Sequence, residues 1–197
     1  MNRNLLGVVS LFLFLAEALL IILSWLLSAT MMEGVRSLLS SEGIRWYFGS
    51  FTYIMASPLL VWLLLVLSAV GCFQKSGAEV LFGRQPLTYR ERVALRVALA
   101  FLCLYLLIIA LLTLPPHAIL LSATGELFPS AFSRCLVPIV AFAVILFSVS
   151  FAMMAGHLRT LSGILSFVSY GIAKGAPLVI VFFLVVQLYE SVRFVFA

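Results

Sequence analysis

Glu17 is the residue in this sequence best placed to do chemistry, because it lies inside an apolar run from Leu5 to Thr30. A carboxylate at the centre of a membrane helix costs about 2.5–3.5 kcal/mol on insertion scales, so a residue kept there has a function by default. Two roles fit it. As a functional group it is a proton or cation site. As a structural group its neutral form hydrogen-bonds a Ser, Tyr or carbonyl on a neighbouring helix, or meets a partner subunit. The chain contains no Asp, and no second acidic residue sits at comparable depth. Proton relays normally use several groups, which weighs toward the structural role.

Other polar residues are weaker candidates. Glu190 and Arg193 are three apart on an apolar stretch, so on a helix they share a face and can pair. An interfacial ion pair is the simpler account of them, and a substrate-facing pair the sharper one. Ser148, Ala152 and Gly156 recur every four residues, a small-residue stripe that lets another helix pack closely. His117 and His157 have no second ligand at helical spacing, so they read as interfacial polar residues and not metal ligands. No Ser stands in a nucleophile elbow, and no Gly-rich phosphate loop precedes a Lys-Ser/Thr. The expectation is therefore a protein that is not an enzyme and holds no cofactor or metal. Cys72, Cys103 and Cys135 show no metal spacing, and their placement along the spans argues against a disulfide framework.

These residues are carried by elements that only a bilayer could accommodate. Hydrophobic residues make up 64% of the 197 and charged residues 10%, with a mean hydropathy of +1.25. Soluble domains run at about 45–50% apolar and about 25% charged. The sequence predicts five spans, at about Leu5–Thr30, Phe51–Cys72, Val93–Leu114, Ala131–Gly156 and Ala176–Ala197. Each is long enough, at about 1.5 Å per residue, to cross about 30 Å of hydrocarbon. Spans of this length are helices, because backbone amides in lipid must pair internally. The fold class is thus all-α and polytopic, a single helical domain over 1–197. Pro115-Pro116 stops the third span, and Ser130, after Phe128-Pro129, is the candidate cap of the fourth. Leu161–Tyr170 reads as an interfacial helix or the end of span four, broken by Gly171, Gly175 and Pro177 before span five. Thr88-Tyr89-Arg90-Glu91 is a capping box that starts the third helix early, with Arg90, Arg92 and Arg96 on its cytoplasmic extension.

The net charge of +5 does not point to nucleic acid, because the basic residues lie mainly between spans. Arg3, Lys75, Arg84, Arg90, Arg92, Arg96, Arg159 and Lys174 fall on one side, and Arg36, Arg45, Arg134 and Arg193 on the other. The positive-inside rule then places the N-terminus in the cytoplasm and the C-terminus outside an inner, or plasma, membrane. Arg90, Arg92 and Arg96 would meet anionic headgroups or form a solvated basic face.

Leu38-Leu39-Ser40-Ser41-Glu42-Gly43-Ile44-Arg45-Trp46, then Ser57-Pro58-Leu59 through Gly71, then Gln74-Lys75-Ser76-Gly77 form a recognisable succession. It resembles the p-aminobenzoyl-glutamate (AbgT-type) transporter family, as does Tyr170–Pro177 leading through Phe182-Phe183 to Gln187. The resemblance is partial, since family members are more than twice as long and carry Ser-, Asp- and Asn-bearing broken helices at mid-membrane. Here Pro-Pro-His and Gly-Glu stand between Leu114 and Arg134 in place of a Ser/Asp-rich hairpin, and the Asn residues are Asn2 and Asn4. What carries over is scaffold, with no substrate-binding residue. The resemblance implies ion-coupled transport of a small organic anion, aminobenzoyl-glutamate-like, by a homo-oligomer. From the residues themselves, a non-transporting scaffold or accessory subunit among other membrane subunits remains the alternative.

Overall fold

The computed structural model describes residues 3–30, 34–82, 88–114, 131–158 and 160–196. Arg84, Pro115-Pro116, His117, Gly125-Glu126, the Phe128–Ser130 cap, Arg159, Ala197 and the side chain of Arg3 lie outside the described residues. The helices in chain order are α1 Arg3–Ala29, α2 Ser41–Gly49, α3 Phe51–Met55, α4 Pro58–Lys75, α5 Tyr89–Thr113, α6 Ala131–Ala155 and α7 Leu161–Val195. A short 3-10 helix covers Ala78–Phe82, and no strand occurs among the described residues. The chain is an all-α polytopic membrane protein in which α1, α4, α5, α6 and α7 are each long and apolar enough to cross a bilayer.

Two of the expected spans have different bounds. The second begins at Pro58 and not at Phe51, because α3 stops at Met55 and the chain is non-helical at Ala56-Ser57. Proline disfavours the helical conformation in the residue before it and itself suits the first turn of a helix. The break expected between Gly171 and Pro177 is absent, and α7 is one helix of 35 residues with Pro177 inside it. A membrane helix tolerates an internal proline because neighbouring groups re-satisfy the freed carbonyl. Pro138 is likewise held inside α6.

The chain groups into two compact units: Met1–Val61 with Gly175–Ala197, and Trp62–Lys174. Both α4 and α7 contribute residues to each. In the second unit α5 and α6 pack as a pair, and the Tyr105 hydroxyl donates to the Ile139 carbonyl at 3.2 Å. Thr88 and Glu91 form the capping box at the start of α5, with the Thr88 N–H donating to Glu91 Oε2 at 2.8 Å. One small core gathers Ala78, Ala94, Ala98 and Phe151, and a second Cys72, Ala152 and Phe167.

In the same unit α4 and the first part of α7 meet backbone to backbone at Gly71 and Gly171. Their proximity lets the Ser68 hydroxyl donate to the Val168 carbonyl at 2.9 Å and brings Cys72 Sγ to 3.9 Å from the Phe167 carbonyl. Lys174 Nζ donates to Gln74 Oε1 at 2.8 Å, and the ammonium groups of Lys75 and Lys174 lie 5.2 Å and 5.8 Å from the Tyr170 ring centre.

Candidate functional site

The first unit places Glu17 in a polar cluster. Glu17 and Ser24, seven apart on α1, are both buried on one face of that helix. Ser24 Oγ donates to the Ile21 carbonyl at 2.8 Å and accepts from the Leu38 N–H at 3.1 Å, while the Arg36 N–H donates to the Val195 carbonyl at 2.9 Å. The stretch 36–38 is thereby tied to α1 and to the end of α7. Ser40 then caps α2 by accepting from the Gly43 N–H at 3.0 Å. Ser40→Ala should lower the stability of the protein by about 1 kcal/mol through loss of that cap, measured as a fall in its unfolding midpoint in detergent.

α2 delivers Trp46 and Tyr47 to two different environments. Trp46 stacks on Phe194 with ring centres 4.4 Å apart, and the Arg36 guanidinium stands 6.0 Å from that Phe194 ring. Tyr47 approaches Glu17. Burial pushes the Tyr47 phenol above its ordinary value, and the neighbouring Glu17 charge pushes it further. α7 supplies the hydrogen bond to the carboxylate, from Ser191 Oγ to Glu17 Oε1 at 2.7 Å. One turn earlier on the same face of α7 lies Gln187.

The cluster is only partly satisfied. Glu17 is 7% exposed and Gln187 6%. Glu17 Oε2 is buried without a hydrogen bond of full geometry, while the Tyr47 phenol comes close enough to interact with the carboxylate through charge and as a hydrogen-bond donor. Both terminal atoms of the Gln187 amide are also buried without a partner. Each such atom costs about 1–3 kcal/mol relative to a paired one. The arrangement offers two free acceptors and one donor on two facing helices. With a proton on Oε2, the carboxyl becomes a second donor, and the site can then bind a carboxylate or an amide.

The remaining candidates from the sequence are dispersed. Glu190 Oε1 and Arg193 Nη1 are 3.9 Å apart and line a cleft in the first unit with Trp46, Ser50, Tyr53 and Ile54. Ser148 and Ala152 are buried inside the second unit, where Ala152 packs on Cys72 and Phe167, and Gly156 terminates α6 at φ +89°. Arg90, Arg92 and Arg96 are exposed on the first turns of α5. His157 Nδ1 is 3.0 Å from the Ser76 carbonyl. The three cysteines are unpaired, and no cluster of three metal-binding side chains occurs among the described residues.

Sequence reasoning did not single out Tyr47, Gln187 or Ser191 as site residues. A signal was present in Gln187 and Ser191, two polar residues one turn apart on α7, whose spacing puts Gln187 on the same helix face as the Ser191 hydroxyl that meets Glu17. No family model matches the chain, and comparison with curated proteins and with solved structures finds no match either.

Proposed function

We propose that this is a transporter-like protein of a cell's inner membrane, built on an AbgT-type scaffold, that moves a small organic anion together with a proton. Glu17 carries the proton, and the Gln187 amide and the protonated Glu17 carboxyl bind the solute's carboxylate or amide. The single observation behind this is that Glu17 Oε2 and both Gln187 amide atoms are buried without partners. A carboxylate kept only to join helices would be expected to have its oxygens satisfied, since half-paired buried polar groups destabilise a fold. Five spans enclose little solute pathway alone, so the working form is an oligomer of this chain. The distribution of Lys and Arg supports a cytoplasmic N-terminus and a C-terminus on the outer side. Liposomes containing the purified protein should accumulate labelled aminobenzoyl-glutamate above empty liposomes under an inward proton gradient. Uptake equal to that of empty vesicles would remove the proposal.

A second role, as a non-transporting subunit of a membrane complex, is favoured by one feature. Only 6% of the apolar windows of α1 and α5 is buried within the chain, leaving wide faces for lipid or another protein. Recovery of the chain alone and monomeric after mild detergent extraction would count against that role.

A further inference from the structure

Two lysines of the second unit converge on one aromatic ring. The ammonium groups of Lys75, the last residue of α4, and of Lys174, on α7, lie 5.2 Å and 5.8 Å from the ring centre of Tyr170. Lys174 Nζ also donates to Gln74 Oε1 at 2.8 Å, which holds it in place. Both lysines are exposed, and among the described residues neither forms an ion pair with a carboxylate. The ring attracts both cations. The two like charges nevertheless repel each other, and the Gln74 amide has no charge to offset them. An anion between them would supply that charge.

The cluster sits at the membrane boundary. α4 has 18 residues, Pro58–Lys75. At about 1.5 Å per residue the whole helix is needed to cross about 30 Å of hydrocarbon. Its final residues, Gln74 and Lys75, therefore lie where the hydrocarbon ends. The contacts of Tyr170 and Lys174 with them hold that part of α7 at the same depth. Tyrosine is a residue type that settles at headgroup level, and lysine extends its ammonium to it.

An apolar groove of about 770 Å³ opens beside this cluster. Val66, Val70 and Gln74 of α4 line it with Val137 and Val144 of α6, and Gln74 and Glu79 are the polar members of its lining. Its volume falls within the range of ligand sites, about 300–1,000 Å³. Gln74 thus belongs both to the lysine cluster and to the groove.

We propose that this corner of the second unit binds an anionic phospholipid carrying one phosphodiester charge, of which phosphatidylglycerol is the simplest. The Lys75 and Lys174 ammonium groups donate to the phosphate oxygens, and an acyl chain lies along the groove between α4 and α6. Basic pockets between membrane helices are a recurring site for such headgroups. A phosphatidylcholine headgroup brings its own ammonium beside the lysines and loses the net attraction. The Glu79 carboxylate opposes a second negative charge, which favours this headgroup over a dianionic one. All of these residues belong to the second unit, so the assignment does not depend on whether Glu17 handles a proton.

The test is the native mass spectrum and unfolding midpoint of the full chain in mild detergent. It is titrated with dioleoyl-phosphatidylglycerol, with dioleoyl-phosphatidylcholine, or with glycerophosphoglycerol, the same headgroup without acyl chains. Phosphatidylglycerol should be retained in the spectrum and raise the midpoint. Phosphatidylcholine should do so about tenfold more weakly or less, having lost the contribution of both lysines. Lys75→Gln and Lys174→Gln should each weaken the phosphatidylglycerol effect about fivefold, the share of one lysine near an anionic surface. Arg45→Gln, which removes an exposed cation of the first unit, should leave it unchanged. Should Lys174→Gln unfold for want of its bond to Gln74, the exposed Lys75 carries the test. Equal effects of the two phospholipids, lysine variants that bind as the wild type does, a loss in Arg45→Gln as large as theirs, or equal binding of the chain-free headgroup would overturn the assignment.

Discussion

Glu17→Leu should abolish solute uptake and lower the stability of the first unit, whereas Glu17→Gln should keep the fold and abolish only the coupling to protons. Leucine removes the acceptor that Ser191 Oγ uses at 2.7 Å. It leaves that hydroxyl, the Gln187 amide and the approaching Tyr47 phenol around an apolar side chain. Stranding a buried hydroxyl costs about 1–3 kcal/mol. Glutamine is nearly the same shape and offers its carbonyl oxygen to Ser191, so the helix contact survives. It cannot gain or lose a proton in any accessible pH range. The two variants therefore separate the roles that the sequence leaves open for this residue. Stability follows the hydrogen bond, and coupling follows the titratable oxygen. Unfolding midpoints of both variants in detergent, read beside their uptake in liposomes, check this. Equal stability and equal uptake in both would remove Glu17 from the account.

Gly171→Ala should destabilise the second unit by about 1–3 kcal/mol or more, the range for forcing an extra methyl into a packed contact. A Cβ there would overlap the Leu67 carbonyl oxygen and the Cα of Gly71, both backbone atoms that no rotamer change can move. Gly71→Ala meets Gly171 in the same way. Because both substitutions open the same contact, their effects should not add. Separating α4 from α7 would also lengthen the Ser68–Val168 and Lys174–Gln74 hydrogen bonds, at 2.9 Å and 2.8 Å. Gly7→Ala is the control. A Cβ at Gly7 would meet nothing within 4 Å, so this exposed helical position should be neutral or slightly stabilised. The three midpoints, measured side by side in one detergent, check the contact. A Gly171→Ala midpoint as high as that of Gly7→Ala would contradict it.

The spans were legible in the sequence because long apolar runs leave the backbone no alternative to a helix in lipid. The capping box at Thr88 and Glu91 was legible because it is written in four consecutive residues. Pro58 begins a span although the sequence expectation of a helix from Phe51 places it inside one, because apolar residues continue on both sides of the Ala56-Ser57 break. Gly171, Gly175 and Pro177 read as a break by local propensity, yet α7 runs through them. Gly171 is where the backbone of α4 comes closest, so its missing side chain permits a contact between helices and does not mark a turn. The site shows the same limit. Glu17 was legible as the lone carboxylate in an apolar run. Its bonding partner Ser191 is 174 positions away, and nothing local in sequence states which face of α1 meets which face of α7. The Glu190–Arg193 pair was legible from helical spacing. Its cleft was not, because Trp46, Ser50 and Tyr53 reach it from α2, α3 and the residue between them.

Proton movement through Glu17 is the central claim, and it can be followed directly with a pH-sensitive dye sealed inside liposomes that carry the protein. Aminobenzoyl-glutamate added outside should acidify the interior of wild-type vesicles, in step with its uptake. Glu17→Gln vesicles should stay flat, as empty ones do. No acidification with the wild type, or the same acidification with Glu17→Gln, would contradict the account.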